Sequence, residues 1–340
     1  IVPLNRKYGI DELLARGEKV CAVTLRLYRP FPTSELVAAL PQTTRSIAVL
    51  DRTKEPGAAG EPLFADVMIA VAENAGHFAV GMPKVIGGRY GLSSKEFTPA
   101  MAAAVFAELT RQAPKPRFTV GINDDVTHLS LAIPDDFEVA SDALTAVFYG
   151  LGSAGTVGAA KNTVQIIGSD EGRHAQGYFV YDSRKSGATT VSHLRFGDHP
   201  IKSAYLIDAA DFVAVHQFEL LSQMRTLDIA KPGAVVLLNS PHGPGTWDEL
   251  PVEVQQLIID RDLKVWVIDA AEVARQAGLG KRINTVMQPC FFYLSGVVPR
   301  EQALARIKAS VEASYGRRGR TVVERNFAAI DASVSALTEL

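Results

Sequence analysis

A chain of 340 residues that is 47% hydrophobic and 21% charged has the length for two domains with sizeable cores and is not of disordered composition. A formal net charge of -2 leaves no basic footprint for nucleic acid, and no apolar run approaches the ~20 residues of a membrane helix. Its two cysteines, Cys21 and Cys290, lie far apart, each in an apolar run. They exclude an iron–sulfur cluster or a cysteine-built zinc site within the chain. Two buried free thiols fit a reducing compartment, so a cytoplasmic location is expected. No signal peptide is expected. The chain opens at Ile1 with no Met, and the expectation is a piece of something longer.

In chain order, Tyr8–Arg16 reads as a helix end stopped by Gly17. Lys19–Leu27 is apolar and partly β-branched and reads as a strand. Thr33–Ala39 is a short helix with Thr33 or Ser34 as its cap. Ser46–Leu50 is a strand that delivers a charged loop, Asp51–Gly57. Glu61–Ala75 and Thr98–Thr110 have helical patterns, and Ala79–Gly87 reads as a strand between them. These alternating elements describe a small α/β domain with a largely parallel sheet. Lys115–Glu138, with Pro114, Pro116 and Pro134 in and around it, reads as a connector, and a domain boundary is expected near Pro134.

The second domain, 135–340, opens with a strand-like lead-in, Ala146–Tyr149. Further strands are expected at Thr163–Ile167, Gly177–Tyr181, Thr190–Leu194, Ala204–Ile207, Phe212–Ala214, Ala234–Leu238 and Lys264–Ile268. Helices are expected at Pro251–Arg261, Ala270–Ala277, Arg282–Leu294, Arg300–Tyr315 and Asn326–Leu337. The fold class is therefore α/β, with two three-layer α/β/α domains built on largely parallel or mixed sheets.

The stretch with most chemical content is Phe148–Lys161 (FYGLGSAGTVGAAK). Gly150-x-Gly152-x-x-Gly155 sits between a strand and a helix start, where backbone N–H groups can cradle a phosphate. Gly152, Gly155, Thr156 and Lys161 are the candidates; a tight βα turn without a ligand explains the same letters. Asp182-Ser183-Arg184-Lys185-Ser186-Gly187 offers two cations and two hydroxyls for an oxyanion or pyrophosphate, and is also ordinary turn chemistry. Asn239 closes a strand, where ligands of α/β sheets sit, though a turn ended by Pro241 accounts for it equally. Gly278–Asn284, with Asn284 as its candidate, leads into an apolar helix that can face an anion; a capped helix junction fits as well. His193, His216 and His242 have no metal spacing and read as packed or turn residues. No catalytic residue and no metal ligand can be assigned.

Taken together, the blocks Arg16–Val20 (RGEKV), Leu27–Phe31 (LYRPF), Ala48–Gly57 (AVLDRTKEPG) and Phe118–Ile122 (FTVGI), the glycine turn, Gln176–Ser183 (QGYFVYDS), Ser192–Gly197 (SHLRFG) and Arg282–Thr285 (RINT) resemble the pyruvate:ferredoxin (flavodoxin) oxidoreductase family through most of the chain. The resemblance implies a long multidomain enzyme that decarboxylates pyruvate on thiamine diphosphate with Mg. Electrons pass through iron–sulfur clusters to ferredoxin or flavodoxin, and acetyl-CoA is released. The chain looks like its second domain, similar to the transketolase C-terminal domain (1–134 with the connector), and its third, similar to the gamma subunit of 2-oxoacid oxidoreductases (135–340). Coenzyme A is associated with the latter. The implied partners are the remaining domains of the same enzyme and, through it, ferredoxin or flavodoxin, with a homodimer when complete. Two departures bear on the coenzyme: the family pattern has Asp where this chain has Ala154 and Asn where it has Ala160. Ala188 in place of a usual Gly is a milder change. The competing expectation is a non-catalytic scaffold or docking module of another redox enzyme, such as a sulfite reductase.

Overall fold

The computed structural model describes residues 2–3, 9–123, 126–137, 139, 141–152, 155–181, 188–280 and 282–340. It divides into two compact units, Ile1–Ser141 with Lys202–Leu206, and Asp142–Ile201 with Ile207–Leu340.

In the first unit β1 (Val2–Pro3) pairs antiparallel with β2 (Val23–Thr24), with α1 (Ile10–Ala15) between them in sequence. After α2 (Thr33–Ala39) come β3 (Ser46–Asp51), α3 (Pro62–Glu73), β4 (Lys84–Arg89), α4 (Pro99–Thr110) and β5 (Arg117–Thr119). The last three strands form a parallel sheet in the order β3-β4-β5. Because neighbouring strand residues point to opposite faces, Val49 and Val85 pack under α2 and α3, through Leu36, Phe64, Val67 and Val71. Ile86 and Phe118 pack under α4, through Ala104 and Val105. The junction from β3 to α3 is closed by one side chain. Asp51 is 5% exposed, and its two carboxylate oxygens accept from the backbone N–H groups of Leu63 and Phe64, each at 3.0 Å. Burial pushes its carboxyl above the ordinary range, and those two bonds pull it back only in part.

Several expectations change here. The strand expected over Lys19–Leu27 shrinks to Val23–Thr24, because its partner among the described residues is the short β1; Cys21 is exposed rather than buried. The helix Thr33–Ala39 forms as expected, but Pro32 precedes it and no described side chain caps it. The next strand starts at Lys84, not Ala79, because Phe78–Gly81 turns, with Gly81 at φ 73° and its N–H donating to Phe78 at 3.0 Å. The supposed connector contains β5, whose Phe118 is fully buried; three residues are too short to show a period.

In the second unit the order is β6 (Leu144–Leu151), α5 (Thr156–Gly168), β7 (His174–Tyr181), β8 (Thr189–Gly197), β9 (Ala210–Val215), α6 (Leu220–Gln223) and β10 (Ala230–Asn239). Then come α7 (Thr246–Glu249), α8 (Val252–Asp260), β11 (Lys264–Ile268), α9 (Ala270–Gln276), α10 (Asn284–Ser295), α11 (Arg300–Tyr315), α12 (Arg320–Ser333) and β12 (Thr338–Glu339). The seven strands form one sheet, β12-β11-β10-β9-β6-β8-β7. β6, β9, β10 and β11 run parallel, and β12, β8 and β7 each pair antiparallel at its margins. Phe148, Phe212, Ala214, Leu237 and Ile268 face α5 and α9–α12. Their neighbours Val147, Val213, Val236 and Val267 face α6 and α8. The three-layer α/β/α expectation is met, with a parallel sheet in one unit and a mixed sheet in the other.

Two expected strands do not form. Thr163–Ile167 is the second half of α5, whose buried positions Thr156, Ala159, Ala160, Thr163, Ile166 and Ile167 keep a helical period. Ala204–Ile207 has no strand, and residues 202–206 belong to the first unit. The last helix starts at Arg320 instead of Asn326.

Candidate functional site

Four parallel strands bring their carboxyl ends to one edge of the second sheet. After β6 the chain enters α5 on one face, while the helices after β9 and β10 lie on the other. Neighbouring strands whose connections leave in opposite directions open a crevice between their carboxyl ends. The glycine turn lies there, between β6 and β9.

The turn is shaped by steric exclusion. A Cβ at Gly150 would lie 2.3 Å from the Thr156 Oγ1, so that position admits only glycine without rearrangement. Gly155 adopts φ 80° immediately before α5, and a Cβ there would lie 3.3 Å from the Asn284 Cγ. Gly155, Thr156 and Asn284, three of the expected site residues, are thus brought together. Gly152 is exposed, and its N–H donates to the Ala188 carbonyl at 2.9 Å.

Among the described residues no side chain caps α5 at Gly155; the first-turn N–H groups of a helix have no partner within it and suit an anion. The Thr156 hydroxyl points inward. The residue is fully buried, with Oγ1 3.2 Å from the Nδ1 of His216. Lys161 is exposed more than a turn further along the helix, its amine 5.4 Å from the Phe179 ring centroid. Asn239 is committed to the sheet edge: its Nδ2 donates to the His216 carbonyl and its Oδ1 accepts from the Ala270 N–H, both at 3.0 Å. Asn284 is half-buried beside the turn. Asp182, Ser183, Arg184, Lys185 and Ser186 lie outside the described residues, as does Ala154.

Ala160 is not part of the loop. It is fully buried on α5, in the core beneath the sheet face, so its side chain is not available to a ligand. His193 and His216 are packed residues, 6% and 2% exposed, and burial pushes both down to about 4, with Arg195 adding to the effect at His193. His242 is exposed in a turn. The Cys290 thiol is pushed up to about 12 by burial and is inert at neutral pH.

Beneath the turn, a cavity of about 10 Å³ bordered by Phe148, Thr163, His216 and Gln288 has room for a single water at most; a larger ligand must lie outside the strand ends. A groove of about 250 Å³ at the carboxyl end of β11 is bordered by Asp269, Glu272, Gln276 and Thr338. Its two carboxylates oppose a phosphate. Among the described residues, no three His, Cys, Asp or Glu side chains are grouped to hold a metal ion, and no helix is long and apolar enough to cross a membrane.

Comparison with known proteins follows the same division. Residues 145–336 match the family described as pyruvate ferredoxin/flavodoxin oxidoreductase, and residues 4–94 match pyruvate:ferredoxin oxidoreductase core domain II. The pyruvate-flavodoxin oxidoreductase of Rhodospirillum rubrum is 56% identical over 336 residues, 96% of this chain and 28% of the relative. That of Nostoc sp. is 52% identical over 341 residues, 97% of this chain and 28% of the relative. The chain therefore spans a little over a quarter of the length of these relatives. Among solved structures, the pyruvate oxidoreductase subunit PORC of Thermotoga maritima is similar at 20% identity and a TM-score of 0.46, covering 58% of this chain and 97% of that one.

Proposed function

Since the chain belongs to the pyruvate ferredoxin/flavodoxin oxidoreductase family, we propose that it is the coenzyme-A-side part of a 2-oxoacid oxidoreductase acting on pyruvate. The complete enzyme would split pyruvate into carbon dioxide and an acetyl group joined to the coenzyme A sulfur as a thioester. The two electrons released would go to ferredoxin or flavodoxin. Thiamine diphosphate with Mg would supply the carbanion chemistry when bound. With only two cysteines, this chain lacks the four thiolates of a cluster, so the clusters and the thiamine site would belong to other parts of the enzyme. The chain would not be catalytic alone.

The observation that carries the coenzyme reading is the start of α5 at the crevice between β6 and β9, capped by no described side chain, with Asn284 beside it. A diphosphate there would accept from the N–H groups of Gly155, Thr156 and the residues after them. Arg184 and Lys185, with Asp182, Ser183 and Ser186, would supply cations and hydroxyls to the same diphosphate, and Lys161 would add positive charge further out. The residues present fit an anion: a helix start at Gly155 with no described side-chain cap and no carboxylate among the described residues at the turn. The competing scaffold reading has no observation in its favour, since relatives 52–56% identical along nearly the whole chain carry the oxidoreductase name. The resemblance supports a homodimer for the complete enzyme, and free thiols support a cytoplasmic one.

Titration of coenzyme A into the 340-residue chain by calorimetry tests the reading. Saturable binding, lost when adenosine 3′,5′-bisphosphate is supplied in excess, is expected. An isotherm without binding heat under conditions where the chain is folded would remove the coenzyme site from this chain.

A further inference from the structure

His216 follows the last residue of β9, and its backbone N–H donates to the Tyr149 carbonyl of β6 at 2.9 Å. That bond extends the parallel ladder one residue beyond β9 and sets the imidazole at the crevice. The ring is 2% exposed and stacked on Phe148, with centroids 5.8 Å apart and planes at 28°. It is therefore held on one side by the core and presents Nδ1 to the Thr156 hydroxyl on the other.

Thr156 is the first residue of α5. A threonine at this place can turn its hydroxyl toward the open backbone donors and compete with any incoming anion. Here it is held inward, over Gly150 and against His216, and stiffness at χ1 makes that choice for the whole residue. The carbonyl of His216 accepts from Asn239, which accepts in turn from Ala270. One chain of hydrogen bonds thus runs from the start of α5 across the ends of β9 and β10 to the start of α9.

We propose that His216 is a positioning residue: by holding the Thr156 side chain inward it fixes the first turn of α5, and with it the direction of the N–H groups that form the anion cradle. This rests on the reading of the cradle given above. Burial keeps the ring neutral at physiological pH, so it orients the donors without adding a charge of its own.

The test separates hydrogen bonding from packing. His216→Phe keeps a ring on Phe148 and deletes the bond. His216→Asn places an amide near the position of Nδ1. Thr156→Val deletes the same bond from the other partner without loss of volume. Amide hydrogen exchange is measured without ligand over α5. The Ala159 amide, which donates to Gly155 at 3.1 Å, and those after it in the second turn are expected to exchange about tenfold faster in His216→Phe and Thr156→Val. In His216→Asn they are expected to stay near the parent, with β9 and β10 unchanged throughout. Equal loss of protection in His216→Phe and His216→Asn, or none in Thr156→Val, would overturn the proposal and leave His216 a packing residue. In a parallel calorimetric titration, coenzyme A affinity should fall about tenfold in His216→Phe and recover in His216→Asn. Absence of coenzyme A binding by the parent chain would defeat the cradle reading alone, because the exchange experiment contains no ligand.

Discussion

The two units make the same kind of junction, from a parallel strand into a helix, and close it differently. At β3–α3 a carboxylate from the strand end, Asp51, takes the N–H groups of Leu63 and Phe64. At β6–α5 no described side chain caps the helix, and the nearest hydroxyl, on Thr156, is turned away to His216. An internal carboxylate satisfies the donors and repels an external anion; its absence leaves donors and helix dipole available. The same kind of junction is closed by an internal carboxylate in one unit and not by any described side chain in the other, over different backbones: Glu61 is extended before α3, and Gly155 has φ 80° before α5.

Acid should separate the two junctions most strongly. His193 and His216 have folded values of about 4 against 6.5, so the unfolded chain binds more protons between those values. Their contribution is intact above about pH 6.5 and is lost as pH falls toward 4, on the order of 3 kcal/mol for each. Asp51, whose value is raised, has the opposite sign and gains stability as it is protonated. Denaturant unfolding followed from pH 7 to pH 4 should therefore show the second unit losing stability first; equal loss in both units would contradict this.

Gly150→Ala is next in size. A Cβ 2.3 Å from the Thr156 hydroxyl forces that side chain out of its slot, at about 1–3 kcal/mol of stability and with weaker coenzyme A binding. Asp51→Ala should lower the stability of the first unit by roughly 1–2 kcal/mol, with coenzyme A affinity unchanged. A fall in affinity in that variant would mean the junctions are not independent. Smallest is Lys185→Ala, expected to weaken coenzyme A binding about tenfold, or ~1.4 kcal/mol, with no change in thermal stability. Unchanged affinity by calorimetry would take Lys185 out of the site.

What was legible in the residues follows the range of the forces. Lys264–Ile268 and Arg300–Tyr315 form over the spans expected of them, because a bounded apolar run and a long helical period are local signals. Thr163–Ile167 misleads because its β-branched residues satisfy a strand pattern, while Ala159 and Ala160 before them, which complete the helical face, sit in what reads as a glycine loop. The same misplacement made Ala160 look like a lost ligand, when it is a core residue. The glycine turn and Asn284 were visible as candidates, but their meeting was not, because more than a hundred residues separate them. Asp51 as the cap of α3 and His216 as the partner of Thr156 were missed although their partners are nearer in sequence, 12–13 and 60 residues away, because no local pattern marks either contact. Each looked like an ordinary loop or core residue, and its role comes from a contact across the fold.

The most direct test of the central comparison is a coenzyme A titration of the isotopically labelled chain, followed through the backbone amide resonances at both junctions. The account predicts saturable shifts at Gly155, Thr156, Val157 and Gly158, with Leu63 and Phe64 unmoved. No shift at α5, or equal shifts at both helix starts, would contradict it.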